Sequence, residues 1–221
     1  MAQMHQVKGT CVKVEYLVLG PIENNVYVIS DRQATIVVDP SCEPDVITEA
    51  LGGREVDAIV LTHCHWDHVG AAAELRKRTG AAVIASQADG EVIAGTRGGD
   101  TGSRDFDPCP VDVFVGDGDV AKIGNMAWKV IATPGHTPGG ICLFLDPEFG
   151  SNSQGAPVLV AGDTLFAGSI GRTDFPGGSM QDMKHSLKRL AALPDETVVL
   201  PGHNQMTRIG DERRRVFARF A

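Results

Sequence analysis

The segment THCHWDH constrains the fold of this chain more than any other part of the sequence. It places three of the chain's 7 histidines beside a cysteine and an aspartate, directly after the apolar run DAIVL. In extended or turning backbone, side chains two residues apart point the same way, so His63 and His65 can bind one metal ion while Cys64 faces away. Asp67 and His68 are then left to face a second metal ion beside the first.

The donor types predict an open metal site rather than a structural zinc site. A structural zinc site is closed by four protein ligands and is usually rich in cysteine. The 5 cysteines of this chain are scattered and form no CxxC pair. Imidazole and carboxylate donors suit zinc, iron or manganese and commonly leave positions open for water. The odd, dispersed cysteines also favour a reducing cytoplasm over a disulfide framework.

Further candidate ligands occur in short segments that stiffen the backbone. His136 lies between prolines and glycines in TPGHTPGG, and His203 follows Pro-Gly in PGHN. Asp163 comes directly after the apolar run PVLVAG, where an unpaired charge would be costly. Apolar runs also lead to His63, His136 and His203, and ligands of layered α/β proteins tend to lie where strands end. We therefore expect these side chains to share one edge of the molecule.

Short runs rich in β-branched residues alternate with helix-like runs along the chain. This alternation predicts two β-rich halves that face each other, with helices outside. The strands are expected at 11–20, 25–30, 34–40, 57–61, 81–86, 111–115, 121–124, 126–133, 140–146, 158–162 and 197–200, and the helices at 45–51, 69–80 and 179–193. The Gly- and Pro-rich segment 95–110 is predicted to be an exposed loop over the site, and 146–157 a surface insertion.

Length and charge narrow the classes of protein. With 221 residues, 43% of them hydrophobic, the chain predicts a single domain over residues 1–221. A net charge of −8 disfavours nucleic-acid binding, because contacts with phosphate rely on Lys and Arg. No apolar run reaches the 18 residues of a membrane span, and the N-terminus lacks the features of a signal peptide. We expect a cytoplasmic monomer or homodimer without nucleic-acid or membrane partners.

The motifs THCHWDH, PGHTPGG, GDTLF and PGHN resemble, in order and context, the pattern of the metallo-β-lactamase fold superfamily. The resemblance spans nearly the whole chain and implies an α/β fold, an αββα four-layer sandwich of two mixed β-sheets with helices outside. The stretch GDTLFAGSIGRTDFPGG is similar to the glyoxalase II group of thioester hydrolases, particularly its compact bacterial forms, and also to the persulfide dioxygenases.

The resemblance implies a ligand set and two metal ions. The first metal would be bound by His63, His65 and His136, the second by Asp67, His68 and His203, with Asp163 bridging both. The metals would be divalent, with zinc first and iron or manganese as alternatives. A hydroxide held between them, oriented by the catalytic residues Asp67 and Asp163, would hydrolyse a small-molecule thioester such as a hydroxyacylglutathione.

Other residues have interpretations that the sequence leaves open. Asp39 resembles a carboxylate that supports a histidine ligand, and Arg172 either contacts the substrate or pairs with Asp174. Trp66 either walls the site or packs, and His5, in a frayed terminus, has no metal role. The chain also lacks the C-terminal extension that helps to hold glutathione in the larger glyoxalase II enzymes, so the carrier thiol stays open.

Four alternatives to thioester hydrolysis remain at this stage. They are a mononuclear-iron persulfide dioxygenase, a hydrolase of lactones or β-lactams, a metalloribonuclease, and a non-catalytic metal-binding module. The absence of an obvious general acid favours thioesters over amides, because a thiolate is a good leaving group with a pKa of about 8.5.

Overall fold

The computed structural model describes residues 3–149 and 154–221. Within them the chain forms fifteen strands, in chain order β1 His5–Val7, β2 Lys13–Leu19, β3 Asn24–Ser30, β4 Thr35–Val38, β5 Ala58–Val60, β6 Ala82–Ser86, β7 Val113–Val115, β8 Val120–Ile123, β9 Met126–Ala132, β10 Ile141–Leu145, β11 Val158–Gly162, β12 Leu165–Phe166, β13 Ser169–Ile170, β14 Val198–Pro201 and β15 Thr207–Arg208. The α-helices are α1 Pro44–Leu51, α2 Trp66–Val69, α3 Ala72–Thr79, α4 Gln87–Ile93, α5 Met180–Leu190, α6 Ile209–Glu212 and α7 Ala218–Phe220. A 3-10 turn spans Pro147–Phe149, and a π-helical turn, Arg213–Phe217, joins α6 to α7.

The two halves of the chain form two mixed sheets. The first sheet has seven strands in the order β1-β2-β3-β4-β5-β6-β7, antiparallel as far as β4 and parallel from β4 to β7. The second has six strands in the order β15-β14-β11-β10-β9-β8, in which only β11 and β14 run parallel. Strands β12 and β13 make a separate hairpin.

Three buried clusters separate four layers. Along β3, Tyr27 and Ile29 face the second sheet, whereas Val26 and Val28 face helices α1, α3 and α4. The outer face of the second sheet packs on α5 and the C-terminal helical segment. Because both faces of each sheet are covered, the strands read as nearly continuous apolar runs. The observed order of helix, sheet, sheet and helix confirms the predicted αββα sandwich.

Two local expectations were wrong, and one helix was missed. The helix predicted at 69–80 is split into α2 and α3, because Ala71 N donates to the carbonyl oxygen of Pro40 at 2.9 Å and not to that of Asp67, as a continuous helix requires. Helix α4 was not predicted. His5 does not lie in a frayed terminus but in β1, where its ring stacks on Tyr16 with centroids 5.1 Å apart. Residues 150–153 of the predicted insertion lie outside the described part of the chain.

Four strands end at the same edge of the sandwich. β5 leads to the THCHWDH segment, β9 to the TPGHTPGG segment, β11 to Asp163 and β14 to His203. Backbone bonds join the sheets there, from Ile141 N to the carbonyl oxygen of Thr62 at 3.0 Å and from Asn25 N to that of Gly202 at 2.8 Å. None of the helices in the described residues is long and apolar enough to cross a membrane.

Candidate metal centre

All seven candidate ligands converge at this edge. The ligand atoms of His63, His65 and His136 lie within 4.8 Å of one another, and so do those of a second group, Asp67, His68 and His203. Extended backbone at His65 leads into helix α2, whose first turn presents Asp67 and His68.

Asp163 lies between the two groups. Its Oδ1 is 3.4 Å from Nε2 of His68, and its Oδ2 is 3.5 Å from Nε2 of His136 and 3.6 Å from Nε2 of His203. A single carboxylate therefore reaches members of both groups.

Hydrogen bonds on the far side of the rings define the protonation of three histidines. Nδ1 of His68 lies 2.9 Å from Oδ2 of Asp39, and Nδ1 of His136 lies 2.7 Å from the carbonyl oxygen of Arg172. Nδ1 of His203 lies 3.0 Å from the carbonyl oxygen of Ile22. Ionised carboxylates and carbonyl groups only accept hydrogen bonds, so each Nδ1 carries the proton that it donates. In a neutral ring, the lone pair is then on Nε2, which faces the cluster.

His63 is oriented in the same way through a hydroxyl group. Thr62 Oγ1 donates its proton to Oδ2 of Asp39 at 2.7 Å and is therefore an acceptor for Nδ1 of His63 at 3.0 Å. Nε2 of His63 and Nε2 of His136 are buried without a hydrogen-bond partner among the described residues. Such an orphaned acceptor is costly unless a cation or a donor reaches it.

Carboxylates also face these lone pairs. Oδ2 of Asp67 lies 3.2 Å from Nε2 of His203 and 3.3 Å from Nε2 of His68. Two acceptors at this distance repel each other unless a proton or a metal ion lies between them. The donor set is imidazole and carboxylate, which suits divalent transition metals, so these residues fit the metal centre that the sequence predicts.

Asp39 supports the cluster from behind. Its Oδ1 accepts from Thr62 N at 2.8 Å, and its Oδ2 accepts from the Thr62 hydroxyl and from His68. Asp39 can also be grouped with His63 and His68 by distance, but its oxygens are occupied by donors that face away from the cluster. Its backbone has φ 48°, a left-handed value that costs energy in a residue other than glycine. The hydrogen bonds hold Asp39 in that conformation.

Asn24 touches the second group and was not predicted as a site residue. The strand was predicted to begin at residue 25, whereas the structure places Asn24 at the start of β3 with 1% of its surface exposed. Its Nδ2 donates to Oδ2 of Asp67 at 2.9 Å and lies 3.4 Å from Nε2 of both His68 and His203. Only the consecutive asparagines before VYVIS could have pointed to such a role.

Burial and neighbouring charges shift the pKa values of these groups in opposite directions. Burial lowers the pKa of His63 well below its usual value and that of His65 to about 4. Burial also opposes protonation of His68, but Asp163 outweighs it and raises the pKa of His68 well above the usual value. Burial likewise acts against the ionised form of Asp163, yet the positive charges of His68 and its neighbours lower the pKa of Asp163 to about 2. In the absence of metal, protons therefore collect beside the two carboxylates.

The cluster lies at the base of a cavity of about 360 Å³. Beyond the candidate ligands, the wall is formed by apolar and small residues, one arginine and one asparagine: Ile22, Trp66, Gly102, Ser103, Phe166, Ile170, Arg172, Phe175 and Asn204. Trp66 thus walls the site, and its ring also packs against the Arg104 guanidinium, which lies 4.6 Å from the ring centroid. The loop predicted at 95–110 therefore borders the site.

Arg172 lines the cavity and also forms the ion pair that the sequence left open. Its guanidinium donates to both carboxylate oxygens of Asp174, at 2.9 and 2.7 Å, and stacks on Phe175 at 4.2 Å. Its backbone carbonyl oxygen also orients His136. That second contact could not be foreseen, because a backbone acceptor leaves no signal in side-chain chemistry.

Cys64 faces away from the cluster. Its Sγ lies 3.3 Å from the carbonyl oxygen of Asp100, and only 3% of the residue is exposed. Burial raises the pKa of its thiol, which disfavours the thiolate that a metal ligand needs.

Comparison with known proteins yields one family. The sequence model described as the Metallo-beta-lactamase superfamily matches residues 19–203. Hydroxyacylglutathione hydrolase GloC of Haemophilus influenzae is 28% identical over 213 residues, which cover 92% of this chain and 96% of that protein.

Solved structures share the fold over most of their length. A crystal structure of TTHA1623 in a di-iron-bound form has a TM-score of 0.75 and 32% identity, covering 90% of this chain and 96% of that one. The crystal structure of ETHE1 from Myxococcus xanthus has a TM-score of 0.73 and 30% identity, covering 94% of this chain and 84% of that one.

Proposed function

The chain belongs to the metallo-β-lactamase superfamily, as a metal-dependent hydrolase, and we propose that it cleaves thioesters of a small, anionic carrier thiol. A hydroxyacylglutathione is the first substrate to test, because GloC, a relative over nearly the full length, is named for that activity.

Seven residues hold the metals in this proposal. His63, His65 and His136 would hold one divalent ion, and Asp67, His68 and His203 would hold the other, with Asp163 within reach of both groups. Bound there, the ions supply an activated water molecule and polarise the scissile carbonyl group. Zinc is the metal we propose first, with iron next because TTHA1623 was crystallised in a di-iron-bound form.

The chain's own groups orient the reaction. The carboxylates of Asp67 and Asp163 accept hydrogen bonds from the attacking water and direct its lone pair towards the cavity. The carboxylate of Asp39 supports His68, and the carbonyl groups of Ile22 and Arg172 support His203 and His136, respectively. These acceptors keep the imidazole rings in the tautomer that places Nε2 inward. These supports reduce the reorganisation that the site undergoes during the reaction.

The residues that line the cavity support a thioester as the substrate. Among the described residues that line it, no acid lies outside the candidate ligands. An amine leaving group needs a proton from a general acid, whereas a thiolate leaves without one because free thiols have a pKa of about 8.5. A wall of aromatic and aliphatic residues with Arg172 at its edge suits an acyl group joined to an anionic carrier.

A substrate panel tests this proposal. Zinc-loaded protein should hydrolyse lactoylglutathione faster than a lactone or a β-lactam. The His63→Ala variant should lose activity, whereas His185→Ala, which removes an exposed histidine of α5, should match the wild type. A zinc-loaded protein that cleaves the β-lactam or the lactone but no thioester would overturn the proposal.

Persulfide dioxygenase chemistry is the second candidate, because the ETHE1 structure is similar over 94% of this chain. The compact second group of Asp67, His68 and His203 favours two metals over the single iron of that activity. Protein purified without oxygen should contain two metal equivalents and consume no oxygen with glutathione persulfide. One iron per chain with rapid oxygen uptake would establish the dioxygenase instead.

A further inference from the structure

Asp89 is a buried carboxylate on the unpredicted helix α4. Ser86 caps this helix by accepting a hydrogen bond from Asp89 N at 3.2 Å. A Glu or Gln side chain in this position often bonds back to the backbone of the capping residue. Asp89, with 1% of its surface exposed, instead extends its side chain towards the metal-binding segments.

The carboxylate of Asp89 connects two loops that are remote in sequence. Its Oδ2 accepts from Cys64 N at 3.1 Å and from the Thr137 hydroxyl at 2.6 Å, and its Oδ1 accepts from Gly139 N at 2.8 Å. Cys64 lies between His63 and His65 in sequence, and Thr137 directly follows His136.

The close approach depends on glycine at position 139. A Cβ there would lie 2.4 Å from Oδ1 of Asp89, a distance that side-chain atoms do not tolerate. Burial raises the pKa of Asp89, whereas the hydrogen bonds from its three donors act in the opposite direction and favour the ionised form. Asp89 therefore contacts both the loop of His63 and His65 and the loop of His136 closely, and these contacts restrict the distance between the two loops.

We propose that Asp89 is a positioning residue. It sets the distance between the loop of His63 and His65 and the loop of His136, and thereby the metal affinity of these three histidines. The inference rests on the ligand set of the proposed function. It does not depend on the substrate, because metal binding is measured without one.

A purely structural role is the main alternative, and Glu212 provides a matched control. Glu212 is also a fully buried acid, and it accepts from Gly168 N at 2.9 Å and from the Thr207 hydroxyl at 2.6 Å. It joins the β12–β13 hairpin to α6 and does not contact the loops of the first group. Glu212→Gln should lower the stability of the fold without changing the affinity of those three histidines.

The experiment isolates the first group of ligands. In a His203→Ala background the second group loses a ligand, so zinc titration against a chelator reports mainly His63, His65 and His136. Adding Asp89→Asn should weaken this zinc affinity by about tenfold or more, a typical loss when an outer support of a metal site is removed. Adding Glu212→Gln should leave the affinity within about twofold. Melting of the metal-free proteins measures the general loss of stability in both.

The outcomes are distinct. Equal zinc affinity in the Asp89→Asn and Glu212→Gln proteins, with similar melting temperatures, would show that Asp89 only stabilises the fold. If Asp89→Asn does not fold, Thr137→Val is the second test, because it removes one donor to Asp89. It should weaken the zinc affinity by a smaller factor, and an unchanged zinc affinity in the Thr137→Val protein would overturn the inference. Failure of every thioester as a substrate, with the loss of zinc affinity intact, would contradict the proposed function and leave the role of Asp89 standing.

Discussion

Asp39 and His68 form a buried pair, with Oδ2 of Asp39 2.9 Å from Nδ1 of His68 across 29 residues of sequence. The same carboxylate accepts a hydrogen bond from the Thr62 hydroxyl. That hydroxyl in turn contacts Nδ1 of His63 and orients its ring. One side chain thus fixes the tautomer of a histidine in each ligand group.

Asp39→Asn should weaken metal binding by about 10- to 100-fold, because one of the two accepting oxygens becomes an NH2 group, which cannot accept from the donors of Thr62 or His68 that face it. Chelator titration of the purified variant measures the change. Asp31→Asn is the control, since Asp31 caps a turn through Gln33 N and Ala34 N away from the site. Wild-type affinity in the Asp39→Asn protein would contradict the assigned role.

Gly202→Ala should reduce the metal content of the centre. A Cβ at this position would lie 2.3 Å from Oδ1 of Asp163 and 2.5 Å from Cε1 of His68, so both side chains would have to move. Elemental analysis should give fewer than two metal equivalents per chain. Gly98→Ala is the matched control, because nothing lies within 4 Å of a Cβ there. Two full equivalents in the Gly202→Ala protein would show that the ligands can shift without loss.

The metal-free protein should be most stable near about pH 6.5, the usual pKa of histidine. The pKa of His65 is about 4 in the fold. Between these values the unfolded chain binds more protons, so stability falls as the pH drops. The raised pKa of His68 acts in the opposite direction, since the folded state binds the extra proton and stability falls as the pH rises above 6.5.

Thermal melting of the metal-free protein between pH 4.5 and about 9 measures the loss of stability on the acid side and on the alkaline side of this maximum. His65→Ala should flatten the acid limb, because it removes an imidazole that only the unfolded chain protonates there. His185→Ala, on the exposed face of α5, should leave the curve unchanged. A melting temperature that rises steadily towards acid would contradict the burial effect.

Asp174→Asn should lower KM for anionic thioesters by a few-fold, because it releases the Arg172 guanidinium from its two-point contact with Asp174. Arg172→Ala should raise KM and leave kcat nearly unchanged. Both effects should shrink with added salt, since the pair is exposed to solvent. A thioester with a neutral carrier, such as N-acetylcysteamine, serves as the control, and equal effects on both substrates would exclude a charge contact.

The sequence predicted the layers and the converging ligands because both depend on local signals. Apolar strands covered on two faces, such as β5 and β11, are visible as continuous apolar runs, and each ends where a ligand follows. The stiff Pro-Gly-His segments likewise singled out His136 and His203. Such signals require only neighbours in sequence.

Contacts across the fold were the part that could not be foreseen. Asn24 and Asp89 act on segments 43 and 25 residues away or more, so their roles depend on the packing of separate elements. Helix α4 is short and contains Gly90, which weakens its helical pattern. The split between α2 and α3 depends on the hydrogen bond from Ala71 N to the Pro40 carbonyl oxygen, which no periodicity in 69–80 could reveal.

Because the proposed ligands lie at the edge where the two sheets meet, metal binding should affect the mechanical stability of the sandwich. Each proposed ligand group draws on both sheets: His136 and His203 come from the second, and their partners come from the first. Each bound ion is therefore a reversible cross-link between the halves, and a chain joined at two such points cannot separate its layers without releasing an ion. Loading the centre should slow opening of the sandwich itself, so that hydrogen exchange slows together in strands as remote as β3 and β11.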